Sequence, residues 1–190
     1  MLKKLIPDEY YESVYDIPYE ELYKSGKRLI MADMDNTLIS YKETLPSEKL
    51  KELKKRIEDI GFELIIVSNS RKNRVDNFSN AFGVKYQKFS TKPLKRGIKR
   101  AMKKVASRRY NKDEVILIGD QLMTDVYGGK RCKLTVFLIE AIDKGTDIGP
   151  TRFNRKLERF FLKRIKKKYP DLYNEKLSRY GGDLIDNKKM

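Results

Sequence analysis

Two aspartates one residue apart, Asp33 and Asp35, directly follow the apolar run Leu29-Ile30-Met31-Ala32. The run predicts a buried strand, and because side chains alternate along a strand, both carboxylates leave it on the same side. Two negative charges at the end of a buried strand are costly to desolvate unless a cation lies between them. Oxygen ligands suit a hard ion such as Mg²⁺. The alternative is an ordinary turn, for which Asp-Asn-Thr is favourable.

A hydroxyl and an amide, Ser68 and Asn69, stand at the end of a second apolar run, residues 62–67. Both side chains can donate hydrogen bonds to phosphate oxygens, although Ser and Asn are also common helix caps. Lys92, which precedes Pro93, offers the positive charge that a cluster of carboxylates and phosphate needs. Most lysines are simply solvated, so this residue also has an ordinary interpretation.

A third apolar run, residues 115–119, ends at Asp120, and Asp125 follows five residues later. Gly119, the last residue of the run, allows the backbone to approach a site closely. Asp120 leaves its strand in the same way as Asp33 does, whereas Asp125 could equally cap a helix. The sequence therefore offers carboxylates from two strand ends to one site.

The composition narrows both the chemistry and the partners. The chain has 190 residues with no histidine and one cysteine, which excludes histidine-based catalysis and an internal disulfide and fits a reducing compartment. The net charge of +16 points to an anionic partner: nucleic acid, a phospholipid surface or a phosphorylated substrate. Because no apolar run could span a bilayer and no signal peptide is recognisable, we expect a cytoplasmic protein, with the inner face of the membrane as a further location.

The elements that must position these residues read as alternating strands and helices. Apolar runs predict five strands, near residues 28–34, 62–67, 84–89, 115–120 and 134–139. Helical periodicity lies between them, at residues 47–60, 71–82 and 93–106. This alternation predicts an α/β fold, a three-layer Rossmann-like domain with a five-stranded parallel sheet. The candidate residues then fall at or just beyond the carboxyl ends of strands, where open α/β sheets bind ligands.

Four segments together resemble the motifs of the haloacid dehalogenase (HAD) superfamily. In chain order they are Asp33-Met34-Asp35-Asn36-Thr37, Ser68, Lys92-Pro93 and Gly119-Asp120-Gln121-Leu122-Met123-Thr124-Asp125. Members of this superfamily mostly transfer phosphoryl groups through a phospho-aspartate. The resemblance implies a Mg²⁺-dependent phosphomonoester phosphatase in which Asp33 is the nucleophile and Asp35 the general acid and base. It further implies that Ser68 and Lys92 hold the phosphoryl oxygens, and the amide of Asn69 is a further candidate for that contact.

The resemblance implies the metal ligands as well. Mg²⁺ would be bound by the carboxylate of Asp33, the main-chain carbonyl of Asp35 and the carboxylate of Asp120. Asp125 would join the metal site by orienting Lys92 or a metal-bound water. These four aspartates are the predicted metal site.

The substrate is predicted less directly. About eight residues separate Leu38 from the next predicted helix, which leaves no room for a cap domain, so we expect an open site. The capless size, the Gly-Asp-Gln-x-x-Thr-Asp form of the last motif and the start Leu5-Ile6-Pro7-Asp8-Glu9-Tyr10 resemble the YqeG-type, subclass IIIA branch, which is similar to phosphatidylglycerophosphate phosphatases. That likeness implies phosphatidylglycerophosphate or a similar membrane-presented phosphate as the substrate. Two alternatives remain: a phosphatase of nucleic-acid terminal phosphates, and a non-catalytic basic module that binds membrane or nucleic acid.

Three regions are expected along the chain: a Tyr-rich, helical extension at residues 1–25, the HAD core at 26–150, and a basic amphipathic helix with a tail at 151–190. In the last region, five apolar residues recur at helical spacing among Lys and Arg: Phe153, Leu157, Phe160, Phe161 and Ile165. This face either docks on the domain or contacts an anionic membrane. From Tyr180 onward we expect a frayed tail. The oligomeric state is left open.

Overall fold

The computed structural model describes residues 1–71, 73–104, 106–143 and 149–181; of residues 149–153 and 155 it describes the backbone only. It contains a parallel sheet of six strands in the order β1-β6-β5-β2-β3-β4. The strands are β1 (Glu9–Tyr11), β2 (Leu29–Ala32), β3 (Glu63–Val67), β4 (Lys85–Gln87), β5 (Val115–Gly119) and β6 (Thr135–Ile139). The predicted α/β class and parallel sheet are confirmed.

The strand that sequence reasoning missed is β1, which makes the sheet six-stranded instead of five-stranded. Its three residues, Glu9, Tyr10 and Tyr11, are exposed or half-buried and form no apolar run, so no hydrophobic signal marks them. They pair with residues 137–139 of β6 at the edge of the sheet. The strand is therefore defined by a partner that lies far along the chain, which local sequence cannot reveal.

The described residues form seven α-helices: α1 (Tyr19–Lys24), α2 (Glu48–Ile60), α3 (Asn73–Phe82), α4 (Lys95–Lys104), α5 (Tyr127–Cys132), α6 (Gly149–Lys168) and α7 (Pro170–Lys176). The long predicted helices are present within two residues of their expected ends. Helix α2 begins where the hydroxyl of Ser47 accepts a hydrogen bond from the N–H of Leu50, at 3.2 Å, and ends at Gly61 in the left-handed conformation. No inserted domain lies between β2 and α2, as the short connection predicted.

Two buried clusters, one on each face of the sheet, form the three layers. Alternate strand residues point to opposite faces, so Met31 and Leu117 belong to one cluster while Ile30 and Ile116 belong to the other. Helices α2 and α3 cover the second face, and α4 to α7 cover the first. Strands buried on both sides explain the continuous apolar runs that predicted them.

The two flanking segments contribute to these same clusters. Leu5 and Tyr19 of the amino-terminal segment are buried, as are Leu162 and Ile165 of α6. The docking interpretation of α6 therefore holds for the part of its apolar face that contains Leu162 and Ile165, while Phe160 is 48% exposed. The predicted Phe153 side chain lies outside the described atoms. Among the described residues, no helix has the length and apolar character needed to cross a bilayer.

The prediction of a frayed tail from Tyr180 onward is wrong for Tyr180 and Gly181, and the rest of that tail lies outside the described residues. Tyr180 is fully buried and Gly181 is also buried, because the tyrosine ring packs in the cluster that contains α6 and α7. Its ring also lies edge-on to that of Tyr10, with 6.2 Å between the ring centroids. Aromatic side chains bury a large apolar area, which holds this part of the chain against the domain.

Candidate active site

The site lies at the carboxyl ends of three neighbouring strands. β2 is flanked by β3 and β5, and Ala32 of β2 pairs with Ile66 on one side and Ile118 on the other. Asp33 follows Ala32, and its N–H donates to the carbonyl of Ile118 at 2.9 Å. The register thus brings the ends of all three strands to one place, with Asp33 in the middle.

Lys92 joins the carboxylates at the centre of the site. Its Nζ atom lies 3.0 Å from Oδ1 of Asp33 and 2.7 Å from Oδ1 of Asp125. The lysine side chain is only 1% exposed, so this contact is shielded from water. Oδ1 of Asp33 also accepts the N–H of Met34 at 2.9 Å, whereas Oδ2 accepts no hydrogen bond from the described residues. These contacts therefore hold Oδ1 and leave Oδ2 unconstrained by them.

Burial controls the ionisation of this group of residues. Burial raises the pKa of Asp33 to about 7; Lys92 opposes that rise, while Asp125 and Asp35 add to it. For Lys92, burial acts to lower the pKa, but the carboxylates of Asp125 and Asp33 outweigh it and raise the pKa above its ordinary value. Lys92 is therefore positively charged, and its single charge balances only part of the negative charge of the aspartates.

Three carboxylates here can bind one ion. Oxygens of Asp33, Asp120 and Asp125 all lie within 4.8 Å of one another, and all three residues are buried. Three carboxylates and the ammonium group of Lys92 leave two negative charges, which a divalent cation would neutralise. An all-oxygen donor set of this charge fits Mg²⁺. The predicted metal residues are therefore brought together, except for the side chain of Asp35.

The carboxylate of Asp35 instead forms an ion pair with Arg74, at the start of α3. The same guanidinium donates to the carbonyl of Ser40 at 2.6 Å and to that of Glu43 at 2.6 and 2.8 Å. Sequence reasoning missed Arg74, because one arginine in a chain with 43 Lys and Arg carries no distinguishing pattern. Arg74 fixes both the loop after β2 and the direction of the Asp35 side chain.

Ser68 and Asn69 differ in what they contact. Ser68 is 1% exposed, and its Oγ accepts the N–H of Ser70 at 3.1 Å, so its own hydroxyl proton remains available for a phosphate oxygen. Asn69 holds the main chain of Lys92 from both sides: Oδ1 accepts the lysine N–H at 2.8 Å, and Nδ2 donates to its carbonyl at 2.9 Å. Oδ1 also accepts the hydroxyl of Ser90 at 2.8 Å. These contacts give Asn69 a positioning task; contact with substrate stays a prediction.

Gly119 is required by the close approach of Asp125. A Cβ atom at Gly119 would lie 2.3 Å from Cγ of Asp125, far inside contact distance. Oδ2 of Asp125 accepts the N–H of Gln121 and the hydroxyl of Thr124, both at 3.2 Å. The turn Leu122–Val126 that carries Asp125 is thus folded back onto the end of β5.

Comparison with known proteins agrees with this geometry. A family model described as "Mitochondrial PGP phosphatase" matches residues 2–143, which contain every residue of the site. The Bacillus subtilis (strain 168) protein "Probable phosphatase YqeG" is 34% identical over 169 residues, covering 88% of this chain and 96% of that protein. The chain belongs to the PGP phosphatase family. Its resemblance to the HAD superfamily and to the YqeG-type branch is confirmed, and this member of the PGP phosphatase family is a phosphoric monoester hydrolase.

Two solved structures are more distantly similar to this PGP phosphatase family member. The magnesium-bound HAD-hydrolase YfnB from Bacillus subtilis is 11% identical, with a TM-score of 0.46, over 65% of this chain and 91% of that chain. A protein from Legionella pneumophila assigned to HAD subfamily III A is 18% identical, with a TM-score of 0.43, over 71% and 74%. The family assignment rests on the sequence matches and not on these two structures.

Proposed function

We propose that this phosphatase hydrolyses its substrate through an aspartyl-phosphate at Asp33 and that it requires Mg²⁺. The observation that supports the proposal is the buried contact of Lys92 with both Asp33 and Asp125, beside Asp120. Lys92 offsets part of the cost of ionising Asp33 and holds its Oδ1, which leaves Oδ2 without a hydrogen bond from the described residues. When bound, Mg²⁺ supplies charge neutralisation and polarises a phosphoryl oxygen.

In the first step, Oδ2 of Asp33 attacks phosphorus and the bond from phosphorus to the ester oxygen breaks. Asp35 enters this step as the protonated acid, released from its ion pair with Arg74, and gives its proton to that oxygen, so the product leaves as an alcohol. Ser68 and Lys92 donate to the phosphoryl oxygens, whose charge grows in the transition state. In the second step, water attacks phosphorus and gives a proton to Asp35. The bond from phosphorus to Asp33 breaks, which releases inorganic phosphate and restores both carboxyl groups.

We infer a substrate that is presented on a membrane, such as phosphatidylglycerophosphate. The family description names PGP, and the described residues between β2 and α2 contain no inserted cap that would enclose a small metabolite. Loops at the same edge of the sheet also carry four exposed apolar side chains: Leu45, Phe89, Leu94 and Ile142. The N–H of Phe89 donates to the carbonyl of Ser70, and the N–H of Ile142 donates to that of Asn36, so these loops adjoin the site. Apolar residues around an open site favour contact with a lipid surface.

A nucleic-acid terminal phosphate is the second candidate substrate. One observation favours it: helix α4, which follows Lys92, exposes a series of basic side chains, namely Lys95, Arg96, Lys99, Lys103 and Lys104. Such a series attracts a polyphosphate backbone as well as an anionic membrane. A non-catalytic basic module is the weaker interpretation, because the family assignment makes the chain a phosphatase.

Turnover assays separate these substrates. We expect release of phosphate from phosphatidylglycerophosphate in vesicles, dependent on Mg²⁺, and little release from a 3′-phosphorylated oligonucleotide at the same concentration. Preference for the oligonucleotide would assign the basic face of α4 to nucleic acid. Activity that is unchanged in EDTA would overturn the metal requirement.

Vesicle sedimentation tests the lipid-facing surface. We expect binding to phosphatidylglycerol vesicles at low salt and weaker binding to phosphatidylcholine, because the attraction is electrostatic. Changing Phe89 and Leu94 to Ser should weaken binding, whereas Phe160→Ser on α6 should have little effect. If Phe160→Ser weakens binding and the change of Phe89 and Leu94 does not, α6 makes the membrane contact. Equal binding by all variants would argue against both surfaces.

A further inference from the structure

Glu158 is a fully buried carboxylate on α6, outside the residues that the family model matches. Charged side chains are rarely buried completely unless their oxygens have polar partners. Oε1 accepts the N–H of Leu122 at 2.7 Å and lies 3.4 Å from that of Met123, and Oε2 accepts the hydroxyl of Tyr180 at 2.8 Å. These hydrogen bonds hold the Glu158 carboxylate at one point in the core.

That point is the beginning of the turn that carries Asp125. Leu122 is the first residue of the turn Leu122–Val126, and the first N–H groups of a helical turn have no partner within the turn. A carboxylate facing them satisfies these donors and interacts favourably with their dipoles. Glu158 therefore acts as a cap supplied by a helix 36 residues further along the chain.

Tyr180 connects the same cap to Asp120. Its hydroxyl has one proton and two acceptors within reach, Oε2 of Glu158 at 2.8 Å and the main-chain carbonyl oxygen of Asp120 at 3.1 Å. A third contact joins Nδ2 of Asn154 to Oε1 of Gln121, at 3.2 Å. The carboxy-terminal segment thus contacts four consecutive residues, 120 to 123, of the loop that bears two predicted metal ligands.

We propose that Glu158 and Tyr180 are positioning residues for the metal site. They hold the loop of residues 120–125 so that Asp120 and Asp125 face Asp33 and Lys92. The metal part of this inference rests on the proposed function, since it assumes that these aspartates bind Mg²⁺. The positioning part depends only on the contacts of the loop. Removing a residue that orients metal ligands through hydrogen bonds typically lowers the metal affinity about 10- to 100-fold.

The metal part is tested by thermal unfolding of the purified full-length protein across a Mg²⁺ titration. Tyr180→Phe removes one hydroxyl, and Glu158→Gln keeps the shape but removes the charge. We expect both to raise the Mg²⁺ concentration that gives half of the maximal shift in Tm by about 10-fold or more. The matched control is Leu162→Ala, which creates a cavity under the same helix and should lower Tm without moving the half-saturating concentration. If the half-saturating Mg²⁺ concentration of both variants equals that of Leu162→Ala, the metal part of the inference is overturned.

Hydrogen exchange of the metal-free protein tests the positioning part separately. In Glu158→Gln and Tyr180→Phe, we expect faster exchange in a peptide covering residues 120–126 and unchanged exchange in strand β2. Unchanged exchange in both peptides, or faster exchange throughout, means that the two residues only fill the core. If the wild-type protein shows no Mg²⁺-dependent shift at all, the proposed metal requirement fails, and exchange alone still decides whether the loop is positioned from α6.

Discussion

At the scale of single residues, Asp33 has two requirements that conflict. As the proposed nucleophile it must be ionised, yet its burial raises its pKa to about 7. Lys92, 3.0 Å from Oδ1, offsets part of that cost, and a divalent cation would offset more. Asp33 therefore carries charge that the fold tolerates only with cationic partners.

Asp33→Asn should abolish turnover while preserving the fold. The substitution keeps the size of the side chain but removes the nucleophilic charge and one predicted metal-ligand charge. Phosphate release and circular dichroism of the same sample check both statements. Turnover within 10-fold of wild type, in folded protein, is incompatible with an aspartyl-phosphate at this residue.

The same variant gives a pH-dependent stability difference in EDTA. The carboxyl group of Asp33 has a pKa near 3.8 when unfolded and about 7 when folded, so the folded state holds its proton more tightly. The wild type should therefore lose stability relative to Asp33→Asn as the pH rises from about 4 to 7. Urea unfolding at several pH values measures the difference. A constant difference across this range would contradict the raised pKa.

Asp35→Asn should lower the rate by about 10²- to 10⁴-fold, the usual contribution of general acid–base catalysis. With p-nitrophenyl phosphate, whose leaving group needs little protonation, the loss in the phosphorylation step should be smaller. Arg74→Gln is the matched control, because it removes the ion pair to Asp35 but keeps the carboxyl group. If Arg74→Gln loses as much rate as Asp35→Asn with every substrate, Asp35 acts through loop structure and not as an acid.

At the scale of secondary structure, the site depends on how closely elements approach one another. Gly119→Ala would place a methyl group 2.3 Å from Cγ of Asp125, so the turn after β5 must shift. We expect activity to fall at least 10-fold, and the Mg²⁺ concentration for half-maximal activity to rise. Gly26→Ala is the control: nothing lies within 4 Å of its Cβ, so it should cost stability through its positive φ alone. Normal Mg²⁺ dependence in Gly119→Ala would show that the turn tolerates displacement.

Sequence alone predicts the elements whose signal is local. Strands β2, β3 and β5 are continuous apolar runs because both faces of the sheet are covered, and the acidic and hydroxyl residues that follow them are evident from the sequence. Strand β1 and the partners Arg74 and Glu158 could not be predicted. Each is defined by a contact between distant parts of the chain. Arg74 and Glu158 also have the residue type and spacing of many other charged residues on helices, so the sequence does not distinguish them.

At the scale of the whole molecule, the carboxy-terminal helices belong to the core of the domain. Leu162, Ile165, Tyr173, Leu177 and Tyr180 are all buried. Burying each large apolar side chain contributes about 1.5–3 kcal/mol, and a domain is stable by only about 5–15 kcal/mol. Truncation after Pro150 should therefore unfold the protein, while Phe160→Ser on the exposed side of α6 should change stability by less than about 0.5 kcal/mol. Urea unfolding measures both; a folded, active truncation would mean that α6 and α7 are dispensable.

The buried contacts of Glu158 and Tyr180 also set an order of events during synthesis. A ribosome makes Asp120 60 residues before Tyr180, and strand β1 is complete long before its neighbour β6 exists. At a synthesis rate of about 5–20 residues per second, Tyr180 is added about 3–12 seconds after Asp120. A nascent chain that stops short of residue 180 carries every predicted catalytic residue but not the final support for Asp120. We therefore expect phosphatase activity to appear only after Tyr180 has been added and has reached its place beside Asp120.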